Sequence, residues 1–398
     1  MSEADSPRER PRTSAALWVL YTDTFTMAVG FYMLVPLLAV HFLDDLGLTI
    51  ALVGVLSAVR AAAQNGMMPV AGWIADRVDY RRAISIGVLI RASGFAMLGT
   101  VESPPGLVVA SVLTGLGGAL FHPASYAAYA ALAAGSSRVK VYATREMVSN
   151  LGFVVGPVVG GLVAGLNFSY VSWTSAGLFV VAFFVTVIGL PSGLSGPRAD
   201  HLPLRRVFAD RAFLRYCVLA SSLWFLVSQL YLVVPVRARE VLPSTATLGL
   251  VYSAAAVLMV VTMLPLSTFT SKRLRPAQVL ALGAISLGSG IAVMGLWSSA
   301  AGLFVGVGIF TVGQMLTMPT ANAIASGYAP DGAVASYFGV QGLAFAIGGM
   351  VGNTVGGLLY TVAAGDGAAS TVPWFVFLAW GLVLAAVLRR PGALAPAR

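Results

Sequence analysis

The sequence predicts an all-α integral membrane protein, with twelve transmembrane helices in two pseudo-symmetric six-helix bundles. Three observations predict it. Hydrophobic residues make up 58% of the 398 positions and charged residues only 10%, against ~25% charged in a soluble domain. The apolar residues come in continuous runs, unlike the alternating strands of a transmembrane barrel. The two halves of the chain repeat each other. Twelve helices of ~20 residues need ~240 residues, which the length accommodates.

In lipid every backbone polar group must be paired within its own segment, so each run is read as a helix. The spans are expected at 16–40, 50–71, 82–100, 106–130, 140–166, 171–190, 211–234, 247–269, 277–297, 300–325, 335–361 and 372–389. Residues 1–15 are polar, and no short apolar region with a cleavage site follows them. They read as a cytoplasmic N-terminal tail. With that end inside, eighteen Lys and Arg residues fall in cytoplasmic segments and two, Arg237 and Arg239, in outer loops. This asymmetry places both termini in the cytoplasm of a multi-pass protein of the cell (plasma) membrane. The expected organisation is an N-terminal bundle at 16–190, a cytoplasmic central loop at 191–210, a C-terminal bundle at 211–389 and a cytoplasmic tail at 390–398.

The repeat rests on Gly and Pro, which match by chance less easily than Leu, Val or Ala. Tyr32 to Pro36 (YMLVP) returns as Tyr231 to Pro235 (YLVVP), 199 residues on. At an offset of 196, Pro123 matches Pro319, Gly152 matches Gly348, Gly156 matches Gly352, and Gly160 and Gly161 match Gly356 and Gly357. Two parallel six-helix halves place a substrate site between them, near the bilayer midplane.

Composition also excludes function classes. Cys217 is the only cysteine, and His41, His122 and His201 are scattered, so a disulfide framework, a metal centre and a cofactor are not expected. The net charge of +9 sits in short loops between apolar runs, which is a topology signal and not a nucleic-acid surface. No His–acid pair at catalytic spacing and no serine elbow supports an enzyme.

Two motifs stand out. Between spans 2 and 3 lies Gly72-Trp-Ile-Ala-Asp76-Arg77-Val-Asp79-Tyr-Arg81-Arg82. Gly72 suits a tight helix exit, Asp76 can accept hydrogen bonds from a helix N-terminus, and the arginines can pair with acids across the seam between the halves. A plain positive-inside loop is the alternative. In span 5, Gly152-x3-Gly156-Pro157-x2-Gly160-Gly161 puts glycines on one helix face, where they permit close approach of a neighbour, and Pro157 bends the helix. Span 11 has matching glycines and is the expected partner of this face; packing alone would explain the stripe equally.

The first motif resembles the loop 2–3 signature of the major facilitator superfamily, G-x-x-x-D-R-x-G-x-R-[RK], with Asp79 where that family has Gly. The resemblance implies a cytoplasmic gate lock. The second resembles the antiporter signature of drug-exporting members. Further stretches over residues 20–165 (TDTFTMAVGF, SAVRAAAQ, WIADRV, IRASGFAMLG, TGLGGALFHP) are similar to an enterobacterial multidrug-resistance branch of the twelve-span drug:proton antiporters. One departure is at span 4, where the proton-linked arginine of that family falls on Ser111; Arg60 or Arg91 would have to serve instead.

Ionisable residues within spans cost ~2.5–3.5 kcal/mol or more unless they are paired or face a cavity. Asp23 lies seven residues into span 1, ~10 Å deep at 1.5 Å per residue. It is either the protonation site or a fixed ion-pair partner holding spans 1 to 3. Glu146 and His122 are further proton-coupling candidates, with a packing role open for His122. Arg60, Arg91 and Arg145 are the buried charge partners, and Gln229, Gln314, Asn322 and Gln341 are candidates for lining the cavity, since an unpaired amide in hydrocarbon is costly.

The reading is a secondary active transporter, a monomer in the lipid bilayer, that exports small amphipathic or toxic molecules against protons by alternating access. A narrow metabolite exporter and a proton-coupled uptake symporter, of an anionic solute for instance, are the alternatives.

Overall fold

The computed structural model describes residues 9–133, 137–164, 167–195, 202–242, 248–363 and 368–394. Residues 1–8 of the N-terminal tail, 196–201 of the central loop with Arg198 and His201, and 395–398 with Arg398 lie outside the described residues. Among the described residues the chain forms fourteen helices: α1 (Glu9–Val40), α2 (Ile50–Val78), α3 (Tyr80–Leu98), α4 (Pro104–Leu132), α5 (Arg138–Ala164), α6 (Phe168–Gly189), the short α7 (Leu204–Ala209), α8 (Arg211–Ser228), α9 (Leu230–Val241), α10 (Leu248–Arg273), α11 (Pro276–Leu296), α12 (Ala300–Tyr328), α13 (Val334–Ala363) and α14 (Val372–Leu388). A π-helical turn, His41–Asp45, extends α1.

Eleven of the described segments are apolar and long enough to cross a membrane, α8 and α9 counting as one broken at Gln229. The twelfth span is α3, whose Arg81, Arg82 and Arg91 lower its apolar character. The starts are chemically legible. Thr49 caps α2 through the Leu52 amide, Asn167 caps α6 through Ser169, and Asp210 caps α8 through Ala212 and Phe213, each satisfying a donor that a helix start leaves free. Proline opens α4 and α11, where its missing N–H is not needed.

Two helices run seven residues past their expected ends. The α2 helix continues from the expected 71 to Val78, so Gly72, Asp76 and Arg77 are helical residues and the exit is made by Asp79. The α9 helix carries Arg237 and Arg239 within it. Arg237 is buried and donates to the Met294 and Gly295 carbonyls and to the Ser298 hydroxyl, closing the C-terminus of α11.

Contacts group the chain into two units. One comprises Met1–Ser136, Val148–Leu204 and Ala329–Gly339; the other comprises Ser137–Met147, Arg205–Tyr328 and Val340–Arg398. In the first, α4 packs on α2 and α3, and α6 on α1 and α3. In the second, α12 packs on α10 and α11, and α14 on α8 and α11. The repeat extends to single contacts. A Cβ on Gly94 would press on Thr114 N and Ala110 O of α4; one on Gly290, 196 residues later, would press on Phe310 N and Gly306 O of α12. Gly87 and Gly117 are related in the same way to Gly283 and Gly313. Small residues allow this close approach where no hydrophobic force drives helices together.

Candidate functional site

The end of α2 is tied to the start of α13. Asp76 is buried, and its Oδ1 accepts from the Ala335 amide at 2.9 Å and the Tyr80 hydroxyl at 3.0 Å. Its Oδ2 accepts from the Ser336 amide at 2.8 Å and from the Ser336 hydroxyl. A carboxylate thus meets the free N–H groups at the positive end of the α13 dipole. Gly72, one turn earlier, lies so close to the Ala335 backbone that a Cβ would collide with it, and Gly339 lies equally close to Met68. Gly72 therefore serves close packing and not a helix exit.

Asp79 makes that exit with φ 85° and ψ 139°, a conformation natural to Gly. Its carboxylate accepts from the Gly193 and Ser195 amides, at 3.0 and 3.3 Å, which clamps the segment after α6. Among the described residues the arginines do not pair with acids as expected. Arg77 stacks on Trp73, 3.9 Å from the ring centroid, and donates to the Trp73 and Leu202 carbonyls. Arg81 donates to the Val187 carbonyl in the last turn of α6, where free carbonyls gather. Arg82 is exposed.

The glycine face of α5 is taken by α1, where the sequence suggested span 11. Gly152 faces Ala28 and Val29, Gly156 faces Tyr32 and Met33, and Gly160 faces the Met33 backbone. The matching glycines of α13 lie on α8 and its break: Gly348 on Ser221, Gly352 on Phe225 and Ser228, Gly356 on Gln229. Spacing shows that a face is small; it does not name the helix that fills it. A Cβ on Gly161 would meet open space among the described residues, and Pro157 is exposed.

Asp23 is fully buried in α1. It forms no ion pair among the described residues, so the expected tie to spans 2 and 3 is not made there. Neither carboxylate oxygen has a hydrogen bond, and the buried Thr186 hydroxyl of α6, likewise without one, faces it. Two turns on, the guanidiniums of Arg91 (α3) and Arg60 (α2) lie 4.5 and 5.7 Å from the ring centroid of Phe31. Arg60 also lines a cavity of about 90 Å³ with Ser57, Ser111 and Thr114. His122, half-buried, packs beside Phe121.

A polar chain runs through the second unit. Glu146 accepts from Arg145 at 2.6 Å and from the Asn322 amide at 3.5 Å. Gln341 donates to Asn322 Oδ1 at 3.4 Å and to the Tyr216 hydroxyl at 3.2 Å, and Tyr216 donates to the Ala321 carbonyl at 2.6 Å. It joins four separately chosen residues (Arg145, Glu146, Asn322, Gln341) from α5, α12 and α13, and adds Tyr216, which sequence reasoning missed because a tyrosine in an apolar helix reads as packing. Gln229 is different. It is fully buried, and its amide donates to the Phe225 and Gly352 carbonyls across the α8–α9 break, so it fastens helices instead of lining a cavity. Gln314 is half-buried on α12.

Similarity to known proteins agrees with this architecture. The chain is 30% identical over 372 residues to the multidrug resistance protein MdtH of Yersinia enterocolitica, covering 93% of this chain and 92% of that protein. It is 28% identical to MdtH of Aeromonas salmonicida, over 92% of each chain. Among solved structures, the human organic anion transporter MFSD10 (TETRAN) superposes with a TM-score of 0.77 at 16% identity, over 96% of this chain and 100% of that one. The E. coli fucose:proton symporter FucP does so with 0.74 at 15% identity, over 94% and 98%; both show the fold alone. The sequence model described as Major Facilitator Superfamily matches residues 22–353. With helices repeated in two sets of six and an acid capping α13 from the end of α2, the chain belongs to the major facilitator superfamily.

Proposed function

We propose that this protein is a secondary active transporter that exports small amphipathic or toxic compounds in exchange for protons, by alternating access in the plasma membrane with both termini cytoplasmic. The observation that carries the reading is Asp23: a fully buried carboxyl in the membrane interior that faces the Thr186 hydroxyl and has no cation beside it among the described residues. A carboxyl in a span is costly and rare unless it is paired or serves transport, and a site that takes a proton in one state and releases it in another couples transport to a gradient. The names of its relatives, multidrug resistance proteins, support export as the direction. In this reading Asp76 on the start of α13 holds the cytoplasmic side shut while the protein opens outward, and Glu146 with Asn322 and Gln341 forms a second polar relay. The 16–190 and 211–389 bundles are the bodies that rock.

The test is a vesicle assay with the purified protein. A pH gradient is imposed, and amphipathic compounds are screened for uphill movement. Gradient-dependent accumulation, abolished by a protonophore, is expected. Movement of substrate that ignores the gradient would exclude proton exchange, and no movement of any compound would count against export.

A further inference from the structure

Among the described residues, Arg60 and Arg91 are two positive charges without a negative one. Neither takes part in a salt bridge among the described residues, and Arg91, 4% exposed, has an Nε without an acceptor. Both guanidiniums lie within 6 Å of one Phe31 ring, so they repel each other at short range; Tyr32 is the polar side chain in electrostatic reach of both. A ring face attracts a cation but does not neutralise two.

Packing does not require the Arg91 charge. The repeat position of Arg91 on α11 is Leu287, fully buried. The two backbones are held alike: a Cβ on Gly117 would press on Arg91 N, and one on Gly313 on Leu287 N. The same helix pair is thus built once with a leucine and once with an arginine. Arg60, which shares the Phe31 ring with it, lines a cavity together with Ser57, Ser111 and Thr114; the Thr114 hydroxyl donates to the Ser111 carbonyl at 2.9 Å. About 90 Å³ holds a small anionic group with a water or two. Guanidinium forks suit oxyanions, and hydroxyls can donate to them.

We propose that Arg60, backed by Arg91 and assisted by Ser57 and Ser111, forms a binding subsite for one anionic group, a carboxylate, a sulfonate or a small inorganic anion. The group belongs either to a transported compound or to a free anion. Only the first source rests on the transporter reading; binding itself does not.

The test is equilibrium dialysis of the full chain in detergent against radiolabelled benzoate and radiolabelled chloride, with protein-free micelles subtracted. Saturable binding of at least one probe is expected, roughly tenfold or more weaker in Arg60→Gln and less weakened in Arg60→Lys. Ser111→Leu, which fills the cavity and keeps both arginines, should also abolish it and carries the test if Arg60→Gln fails to fold. Displacement of benzoate by chloride identifies a free anion; displacement by benzenesulfonate and not by chloride identifies a group on the cargo. No saturable binding of either probe, or unchanged binding in both Arg60→Gln and Ser111→Leu, would overturn the subsite. Binding without gradient-driven export in vesicles would count against the export reading and leave the subsite standing.

Discussion

Asp76 and Ser336, 260 residues apart in the chain, are joined twice: the Ser336 amide and the Ser336 hydroxyl both donate to Asp76 Oδ2. The contact holds only while the end of α2 lies against the first turn of α13. In the transporter reading proposed above, the contact belongs to one conformational state and biases the equilibrium toward it.

Asp76→Asn keeps the shape but removes the charge facing the α13 dipole, worth ~0.3–1 kcal/mol, or up to ~2 when partly buried, and sets an amide N–H2 against the donors that one carboxylate oxygen now accepts. Turnover is expected to slow with substrate affinity nearly intact. Ser336→Ala removes one donor and leaves two amides, so its effect should be in the same direction and smaller. Vesicle transport and a binding isotherm on each variant check this. A loss of affinity of about tenfold or more with unchanged probe access to the α2–α3 end would contradict a role in state balance.

Asp23→Asn should abolish gradient-driven export while leaving the protein folded and inserted. No cation depends on Asp23 among the described residues, so a neutral isostere strands no partner charge. Transport with and without a pH gradient, together with melting in detergent, tests this. Uphill export at the wild-type rate would remove Asp23 from coupling.

Gly156→Val and Gly160→Val should block transport by pushing α5 off the Tyr32–Met33 backbone of α1; overpacking costs ~1–3 kcal/mol. Gly161→Ala, whose Cβ would meet open space, should behave as wild type. A cysteine pair near Gly156 and Tyr32 should crosslink. Full activity in both valine variants would mean that α1 does not pack here.

Asp79→Ala should destabilise the protein more than Asp79→Gly. Both lose the bonds to Gly193 and Ser195, but only Ala keeps the strain of a positive φ, about 1–3 kcal/mol for a side chain in a sparsely populated region. Thermal unfolding of the two variants in detergent decides it, and an Ala variant as stable as the Gly variant would show that the backbone relaxes.

The sequence by itself determined what depends on the solvent. Lipid demands apolar runs whose backbone pairs locally, so the helices, the repeat at 196 residues and the glycine faces were legible residue by residue. Asp76 was readable as a helix-capping acid for the same local reason. Tertiary structure decided the partners. It extended α2 through Gly72 to Val78 because the first turn of α13 covers that end, laid the α5 glycines on α1, turned Arg77 and Arg81 toward carbonyls, used Gln229 to stitch α9 to α13, and left Asp23 without a cation. Periodicity says which face of a helix is small or polar, but between helices in lipid no hydrophobic force singles out one neighbour. The partner is chosen by the fit of whole surfaces drawn from distant parts of the chain, and that fit exists only once the chain has folded.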